Sequence, residues 1–458
     1  MYKEDTIAAL ATPVGQGGIG IIRISGKEAL SVAARVFRPH RGEVDKLRGY
    51  QAAYGHIMED GNIIDEAILL VMRAPKSYTG EDVAELQLHG GMLAVEAALT
   101  AVLRAGARAA ERGEFTERAF LNGRLDLAQA EAVQDIITAR STTALGVAVG
   151  HLGGRLSQWV RNTADDLAGL IAALEVTLDY PDEDITEVDR AEGIARIDAV
   201  AAELAAIIAK SRAGKVWREG VKTVISGLPN AGKSSLLNYL LAEERAIVTD
   251  IPGTTRDTIS AYATLAGIPL ELVDTAGIRE SEDEVERIGV RRAQAAQEEA
   301  DVVFAVVDGS QPLTADTHAW LASLRGRPVI VLLNKSDIAR LVTADDVRRI
   351  LGEVPIHTVS VLKEEGTEAI GETLRQLVAT EQIRAGEDVV LTNARQQQWA
   401  ETAAASLQSA RTAFTQGLTV DCVTEDLRAA WDALGAIIGR RLEEDIVSEI
   451  FRRFCVGK

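Results

Sequence analysis

Cysteine is almost missing from this chain: Cys422 and Cys455 are the two in 458 residues, too few for the disulfide framework of a small secreted scaffold. No uninterrupted apolar run approaches the roughly 18 residues that cross a bilayer. The opening MYKEDTIAAL places acids where a secretory leader needs a basic stretch followed by an apolar one. Cationic charge is also scarce, with 49 Lys and Arg against 68 Asp and Glu and a net charge of −19. Affinity for a phosphate backbone scales with the number of phosphates neutralised, so this balance excludes a general nucleic-acid coat. RNA contact is left to a local basic patch. The expectation is a cytoplasmic chain with no membrane association. No internal repeat or low-complexity segment is visible.

What remains is ample for packed cores: 47% of residues are hydrophobic and 26% charged, in a length that suits about three domains. Residues 1–120 mix short β-like runs at Ile19–Ser25, Ala67–Met72 and Val83–Leu88 with one or two helical stretches. From Asp126 to about Ser211, apolar residues recur every three or four positions, as in LAGLIAALEVTL, which predicts amphipathic helices. From Val221 to about Leu377, the strand-like KTVISG, LELVDTAG, DVVFAVVDGS and RPVIVLLNKSD alternate with helical patterns. That alternation predicts a doubly wound, mostly parallel sheet. Helical texture returns after about Asp388. The fold expected is multidomain, α/β plus α: an N-terminal α+β domain (1–120), a discontinuous helical domain (121–216 and 381–458), and a Ras-like P-loop domain (217–380) inserted in it.

Gly227 to Ser234 spells G-x-x-x-x-G-K-S, after a strand-like run and before the helical SSLLNYLL, the context that makes a P-loop. Its amides turn inward around phosphates, Lys233 neutralises charge on the β and γ groups, and the Ser234 hydroxyl binds Mg²⁺. Nucleotide contacts are placed at Asn230, Ala231, Gly232, Lys233, Ser234 and Ser235. Asp274, Thr275, Ala276 and Gly277 form a D-x-x-G at the end of LELV, where a carboxylate supports the Mg²⁺ shell. Asn334, Lys335, Ser336 and Asp337 form N-K-x-D, whose aspartate accepts the paired N–H groups of guanine and rejects adenine. Ser360, with Val361 and Leu362, follows another short strand and resembles the loop that closes over the base. Gly253 to Asp257 carries the hydroxyls of a switch loop, Thr254 and Thr255. The glutamine that orients water in many GTPases is absent, since Ile278 follows the D-x-x-G; within ESEDEVER, Glu286 is the candidate replacement.

Three other features lead nowhere so specific. Gly15 to Gly20 matches G-x-G-x-x-G but runs into the strand-like GIIRIS, so it reads as a glycine-rich hairpin and not a dinucleotide site. His89 has no Cys or His partners at zinc spacing. The arginines of RAGARAAERGEFTERAF read either as phosphate contacts or as a solvated helix face.

GLPNAGKSSLLN, DIPGTTRD, DTAGIRESEDEVERIG, NKSD, DTIAALATPVGQGGIGIIRISG, SYTGEDVAELQLHGG, GEFTERAFLNGRLDLAQAEAV and the terminal FCVGK resemble the bacterial tRNA-modification GTPases of the MnmE family, over essentially the whole chain. The resemblance implies a homodimer that works with the FAD-dependent partner MnmG on tRNA. Together they add a (carboxymethyl)aminomethyl group at carbon 5 of the wobble uridine. It implies K⁺-activated pairing of G domains, with K⁺ held by Asn230, Thr249, Ile251 and Thr254, and Mg²⁺ by Ser234 and Thr255. It also gives Glu286 the task of orienting water. A tetrahydrofolate derivative is implied at Arg23, Glu85, Arg124 and Lys458. Arginine at 124 keeps the charge that lysine supplies in some members, with different geometry. For Arg23, the alternating IIRIS alone reads as an exposed strand position. The competing class is a ribosome-assembly GTPase without covalent RNA chemistry, which usually carries a basic appendage.

Cys455 has the spacing of a prenylation box, but Gly457 is not aliphatic and Lys458 is an atypical last residue. In DIVSEIFRRF, Ile446, Ile450 and Phe454 share a face, which predicts a docked helix. As an isolated cysteine, Cys455 reads as structural. The resemblance implies that it lines the folate site with Lys458, and that it is a candidate for catalysis alongside Glu286 and Lys233.

Overall fold

In IGIIRIS every second residue is apolar and turned to one face, which makes a half-buried strand. The surrounding domain is built on that alternation. The computed structural model describes residues 5–139, 141–179, 190–243, 261–273, 300–377, 388–440, 444–452, 454 and 457. The chain divides into two units, Met1–Gln134 with His151–Gly193 and Ala405–Lys458, and Asp135–Gly150 with Ile194–Ala404.

In the first unit, β1 (Ile7–Leu10), β2 (Ile19–Ser25), β3 (Phe37–Pro39), β4 (Gln51–Glu59), β5 (Asn62–Met72), β6 (Val83–His89) and β7 (Arg108–Ala109) form one sheet. Its order is β3-β4-β5-β6-β2-β1-β7. Helices α1 (Ala29–Val36) and α2 (Met92–Arg104) bury Ile22, Ile24, Leu69 and Leu86 on one face. The other face of β1 carries Ile7 and Ala9, closed by Phe115 from a third helix, α3 (Glu114–Leu121). Sequence reading foresaw one or two helices here, and α3 is short enough to escape a periodicity test. Strand β5 starts at Asn62 and not Ala67, because Asp60 and Gly61 both take positive φ, 48° and 85°, and turn β4 directly into it. The glycine-rich run joins β1 to the antiparallel β2, Leu10 opposite Ile22. A strand, not a helix, follows it.

Helices α4 (Leu127–Thr138), α5 (Thr142–Leu152), α6 (Arg155–Asp179) and α7 (Arg190–Glu219) come next. The last continues past Ser211, where the apolar pattern fades. On α6, Leu156, Val160, Leu167, Leu170 and Leu174 are buried, the three-and-four spacing of a core-facing stripe.

In the second unit, β8 (Val221–Ser226), β9 (Ala261–Leu265), β10 (Ile268–Leu272), β11 (Val302–Asp308), β12 (Val329–Asn334) and β13 (Ile356–Thr358) form a sheet of order β13-β12-β11-β8-β10-β9. All pairs are parallel except the β9–β10 hairpin. Strand β12 is buried throughout, as strands covered on both faces must be, and so reads as a continuous apolar run. Its helices are α8 (Lys233–Glu243), α9 (Ala315–Ser323), α10 (Ala344–Leu351) and α11 (Glu368–Leu377). Reciprocal side-chain and backbone bonds between Thr343 and Asp346 cap α10, satisfying amides that its first turn leaves unpaired.

Helices α12 (Ala394–Gln416), α13 (Val420–Ile437) and α14 (Glu444–Phe451) complete the chain. Helix α13 packs along α6 within the first unit. The buried line at the end of the chain is Val447, Phe451 and Phe454, against Leu127 and Ala130. Of the expected face, Phe454 lies in this core and Ile450 packs against it; the side chain of Ile446 lies outside what the structure describes. The helix stops at Phe451 and Phe454 reaches the core from a turn, its amide bonded to the Phe451 carbonyl.

Candidate functional site

The first candidate site lies at the C-terminal ends of β8, β11 and β12, where parallel sheets present their loops. Between β8 and α8, Gly227 passes so near the Val306 carbonyl that a Cβ would overlap it, and a Cβ on Gly232 would overlap the Asn334 amide. Gly232 has φ of 103° and Asn230 sits in the left-handed region at 63°. These glycines keep the loop open as a cradle that side chains would fill, and this fits a bound phosphate. Ala231 is buried, while Ser234 and Ser235 are exposed in the first turn of α8. Lys233 Nζ donates to the Leu228 carbonyl at 2.9 Å, and burial holds its pKa below the usual lysine value.

Asn334 ties this loop to the base loop. Its Nδ2 donates to the Ala231 carbonyl at 2.9 Å and its Oδ1 accepts from the Val361 amide at 3.1 Å. Its side-chain amide is thereby occupied by protein, so Asn334 acts on the site as a tie between loops. Asp337 accepts a hydroxyl bond from Ser360 at 2.8 Å and stands 3.8 Å from Lys363 Nζ. The Ser360 bond, with the Lys363 charge assisting, holds its carboxyl below the ordinary value. An ionised acceptor beside the base loop suits the donor edge of guanine. Lys335 takes φ of 66° and pairs with Asp308. Thr249, Ile251, Thr254, Thr255, Asp274, Thr275, Ala276, Gly277 and Glu286 lie outside the described residues.

A second cluster lies in the first unit, on the sheet face opposite α1 and α2. Arg23 on β2 stands across from Glu85 on β6. Its Nε donates to Glu85 Oε1 at 2.8 Å, and its Nη1 to the Gly457 carbonyl at 3.2 Å. The exposed-strand reading of Arg23 does not hold, since its side chain is only 14% exposed. Its guanidinium lies over the rings of Tyr78, at 5.3 Å, and Phe115, at 5.7 Å. That of Arg124 lies over Tyr78 at 5.5 Å. The Tyr78 hydroxyl meets Thr116 at 2.8 Å. Burial pushes this phenol above its ordinary pKa, against the pull of Thr116 and the two arginines. Sequence reading missed Tyr78 and Phe115; the only signal was an aromatic within the quoted SYTGEDVAELQLHGG and another within GEFTERAF. Gly457 takes φ of 87° and a Cβ there would overlap the Leu10 carbonyl, so the tail is seated on β1. Cys455 and Lys458 lie outside the described residues.

One further sequence reading is corrected in part. In the arginine-rich stretch Arg104 keeps the solvated face, 69% exposed, but Arg108 and Arg118 are engaged by carboxylates and are not offered to phosphate. Arg118 is 3% exposed and pairs with Asp5, Glu81 and Glu114, while Arg108 pairs with Asp5 and Glu114. His89 bonds Asp65 at 2.8 Å, which raises the imidazole pKa. No group of three or more metal-binding side chains occurs among the described residues, nor any helix long and apolar enough to cross a membrane.

A P-loop tied to an N-K-x-D base loop on a mostly parallel sheet defines the inserted domain as that of a GTPase. Residues 6–124 match the family described as the GTP-binding protein TrmE N-terminus, and residues 127–455 the MnmE helical domain. The chain is 47% identical to the tRNA modification GTPase MnmE of Heliobacterium modesticaldum, over 99% of both chains. It is 42% identical to that of Listeria welshimeri, again over 99% of both. For the protein of Bacillus subtilis the identity is 42%, over 99% of this chain and all of that one. This chain belongs to the MnmE family.

Proposed function

We propose that this GTPase modifies tRNA in the cytoplasm, as a homodimer working with the FAD-dependent partner MnmG, at carbon 5 of the wobble uridine. The observation that carries the reading is the Arg23–Glu85 pair, stacked on Tyr78 and capped by the Gly457 carbonyl. A G domain alone has no use for such a site. A carboxylate suits the amide-like edge of a pterin, an aromatic ring suits its face, and arginines suit a glutamate tail. Arg23, Glu85, Arg124 and Lys458 are the proposed folate contacts, with Tyr78 added. A bound folate would supply a one-carbon unit.

The nucleotide contacts proposed are Asn230, Ala231, Gly232, Lys233, Ser234, Ser235, Asp274, Thr275, Ala276, Gly277, Asn334, Lys335, Asp337 and Ser360. Ser234, at the start of α8, and Thr255 would hold Mg²⁺. Asn230, Thr249, Ile251 and Thr254 would hold K⁺, whose charge would stand where other GTPases place an arginine. Glu286 would orient water, and Cys455 would line the folate site. The division into 1–120, 121–216, 217–380 and 381–458 belongs to the same proposal.

The test is direct sequencing of wobble-uridine modifications in tRNA from cells lacking the protein and from cells complemented with it. Loss and restoration of a 5-substituted uridine is expected. Unchanged tRNA in the deletion strain would sink the reading.

A further inference from the structure

Strand β11 ends in Asp308, and its two carboxylate oxygens serve two neighbours. Oδ2 accepts from Lys335 Nζ at 2.6 Å. Oδ1 accepts from the Ser310 amide at 2.9 Å and its hydroxyl at 2.5 Å. The adjoining backbone is stapled in the same direction. Gly309 N donates to the Asn334 carbonyl at 2.9 Å, and the amides of Leu341 and Val342 donate to the Gly309 carbonyl at 2.8 and 3.3 Å. Residues 308–310 thus grip the base loop before and after Asp337.

Lys335 lies between Asn334 and Asp337 in a left-handed backbone conformation that lysine adopts only when its surroundings hold it there. Its ammonium is anchored at the far end by Asp308, with side chains 29% and 21% exposed. Such partial burial makes the bond stronger than a surface ion pair. Asn334, at one end of this segment, is fixed by Ala231 and Val361; Asp337, at the other, by Ser360.

We infer that Asp308 is a positioning residue for guanine-nucleotide binding, holding Lys335 and with it the spacing of Asn334 and Asp337, without touching the nucleotide. The inference rests on reading 334–337 as the guanine loop and extends that site to a residue outside its motif. Because Asp308 acts through Lys335, loss of the carboxylate should speed nucleotide release, and its effect should vanish when Lys335 cannot respond.

The experiment uses the full chain and a fluorescent GDP analogue in stopped flow. Asp308→Asn is expected to release the analogue about tenfold faster and to raise KM for GTP by a larger factor than it lowers kcat. Asp308→Glu keeps the charge and should recover most of the lost affinity. In a Lys335→Met background, Asp308→Asn should add nothing further, the signature of two residues in one interaction. Unchanged release in a folded Asp308→Asn protein overturns the inference, as do additive effects in the double variant. So does failure of Asp308→Glu to recover affinity. If Asp308→Asn does not fold, Asp308→Ser, which also removes the charge, is read in the same two Lys335 backgrounds against the same outcomes. Failure of the wild-type chain to bind the analogue overturns the guanine-loop reading itself, and that is read before any variant.

Discussion

Arg118 shows how much one side chain can be asked to hold. It is buried among Asp5, Glu81 and Glu114 and also donates to the Asp5 carbonyl, while Arg108 shares two of those acids. Removing one partner from a buried charge cluster leaves the others uncompensated, which is far costlier than never having built it. Arg118→Ala is therefore expected to destabilise the N-terminal sheet by about 3–5 kcal/mol, read as faster hydrogen exchange in peptides from β1, β2 and α3 of the full chain. The pH dependence has a definite sign. Burial pushes the Asp5 and Glu114 carboxyls up, but hydrogen bonds from Arg108 and Arg118 outweigh it and hold both below their ordinary 3.8 and 4.5. Folded values below unfolded ones mean stability that is complete above about pH 4.5 and lost as the pH falls through the folded values. Exchange in β1 and β2 should accelerate below that point in the wild type, and more weakly in Arg118→Ala, which has lost one of the two arginines behind the linkage. Equal acid sensitivity in the two proteins would show that these carboxylates do not set it.

At the scale of elements, two loops from distant parts of the sequence are joined by Asn334. Its side chain spans from Ala231 in the P-loop to Val361 in the base loop, and Gly232 must lack a side chain to let it pass. Asn334→Ala removes both bonds and exposes the Ala231 carbonyl and Val361 amide without partners. GDP binding should weaken by about tenfold or more, measured by titration calorimetry, with the melting temperature of the first unit unchanged. Gly232→Ala should fail in the same assay by overlap. These loops were legible in the sequence because their chemistry is local: a fixed spacing of glycine, lysine and serine, and strands apolar throughout. The N-terminal cluster was legible only through the resemblance, since Arg23 in IIRIS differs from any surface arginine solely by what stands across from it on β6. Tyr78, Phe115 and Asp308 were missed for the same reason. Their roles arise from contacts between residues far apart in the chain, as Tyr78 with Thr116 and Arg23 with Phe115, or from strand ends that read as ordinary turns. At the end of the chain, periodicity finds the helix and its docking, with Phe454 in the core and Ile450 against it, but passes over Val447 and Phe451.

The whole molecule keeps its two candidate sites in different units, the Arg23 cluster in the first and the P-loop in the second. Variants should therefore separate the activities in one direction only. Arg23→Ala breaks the bonds to Glu85 and Gly457 and the stacking on Tyr78, all of them partners in the first unit. It is expected to abolish wobble-uridine modification in complemented cells while GTP hydrolysis by the purified chain stays within about twofold of wild type. On the proposed function, Asn334→Ala, by weakening nucleotide binding, should reduce both hydrolysis and modification. The monovalent ion supplies an independent handle on the second unit. Hydrolysis should run faster in KCl than in NaCl at equal ionic strength, and Asn230→Ala should remove that difference while Arg23→Ala preserves it. Hydrolysis at one rate in both salts would remove Asn230 from the K⁺ site. If Arg23→Ala lost hydrolysis together with modification, the Arg23 cluster and the P-loop site would have to be coupled in both directions, and the proposed one-way order from GTP turnover to chemistry on the uridine would be wrong.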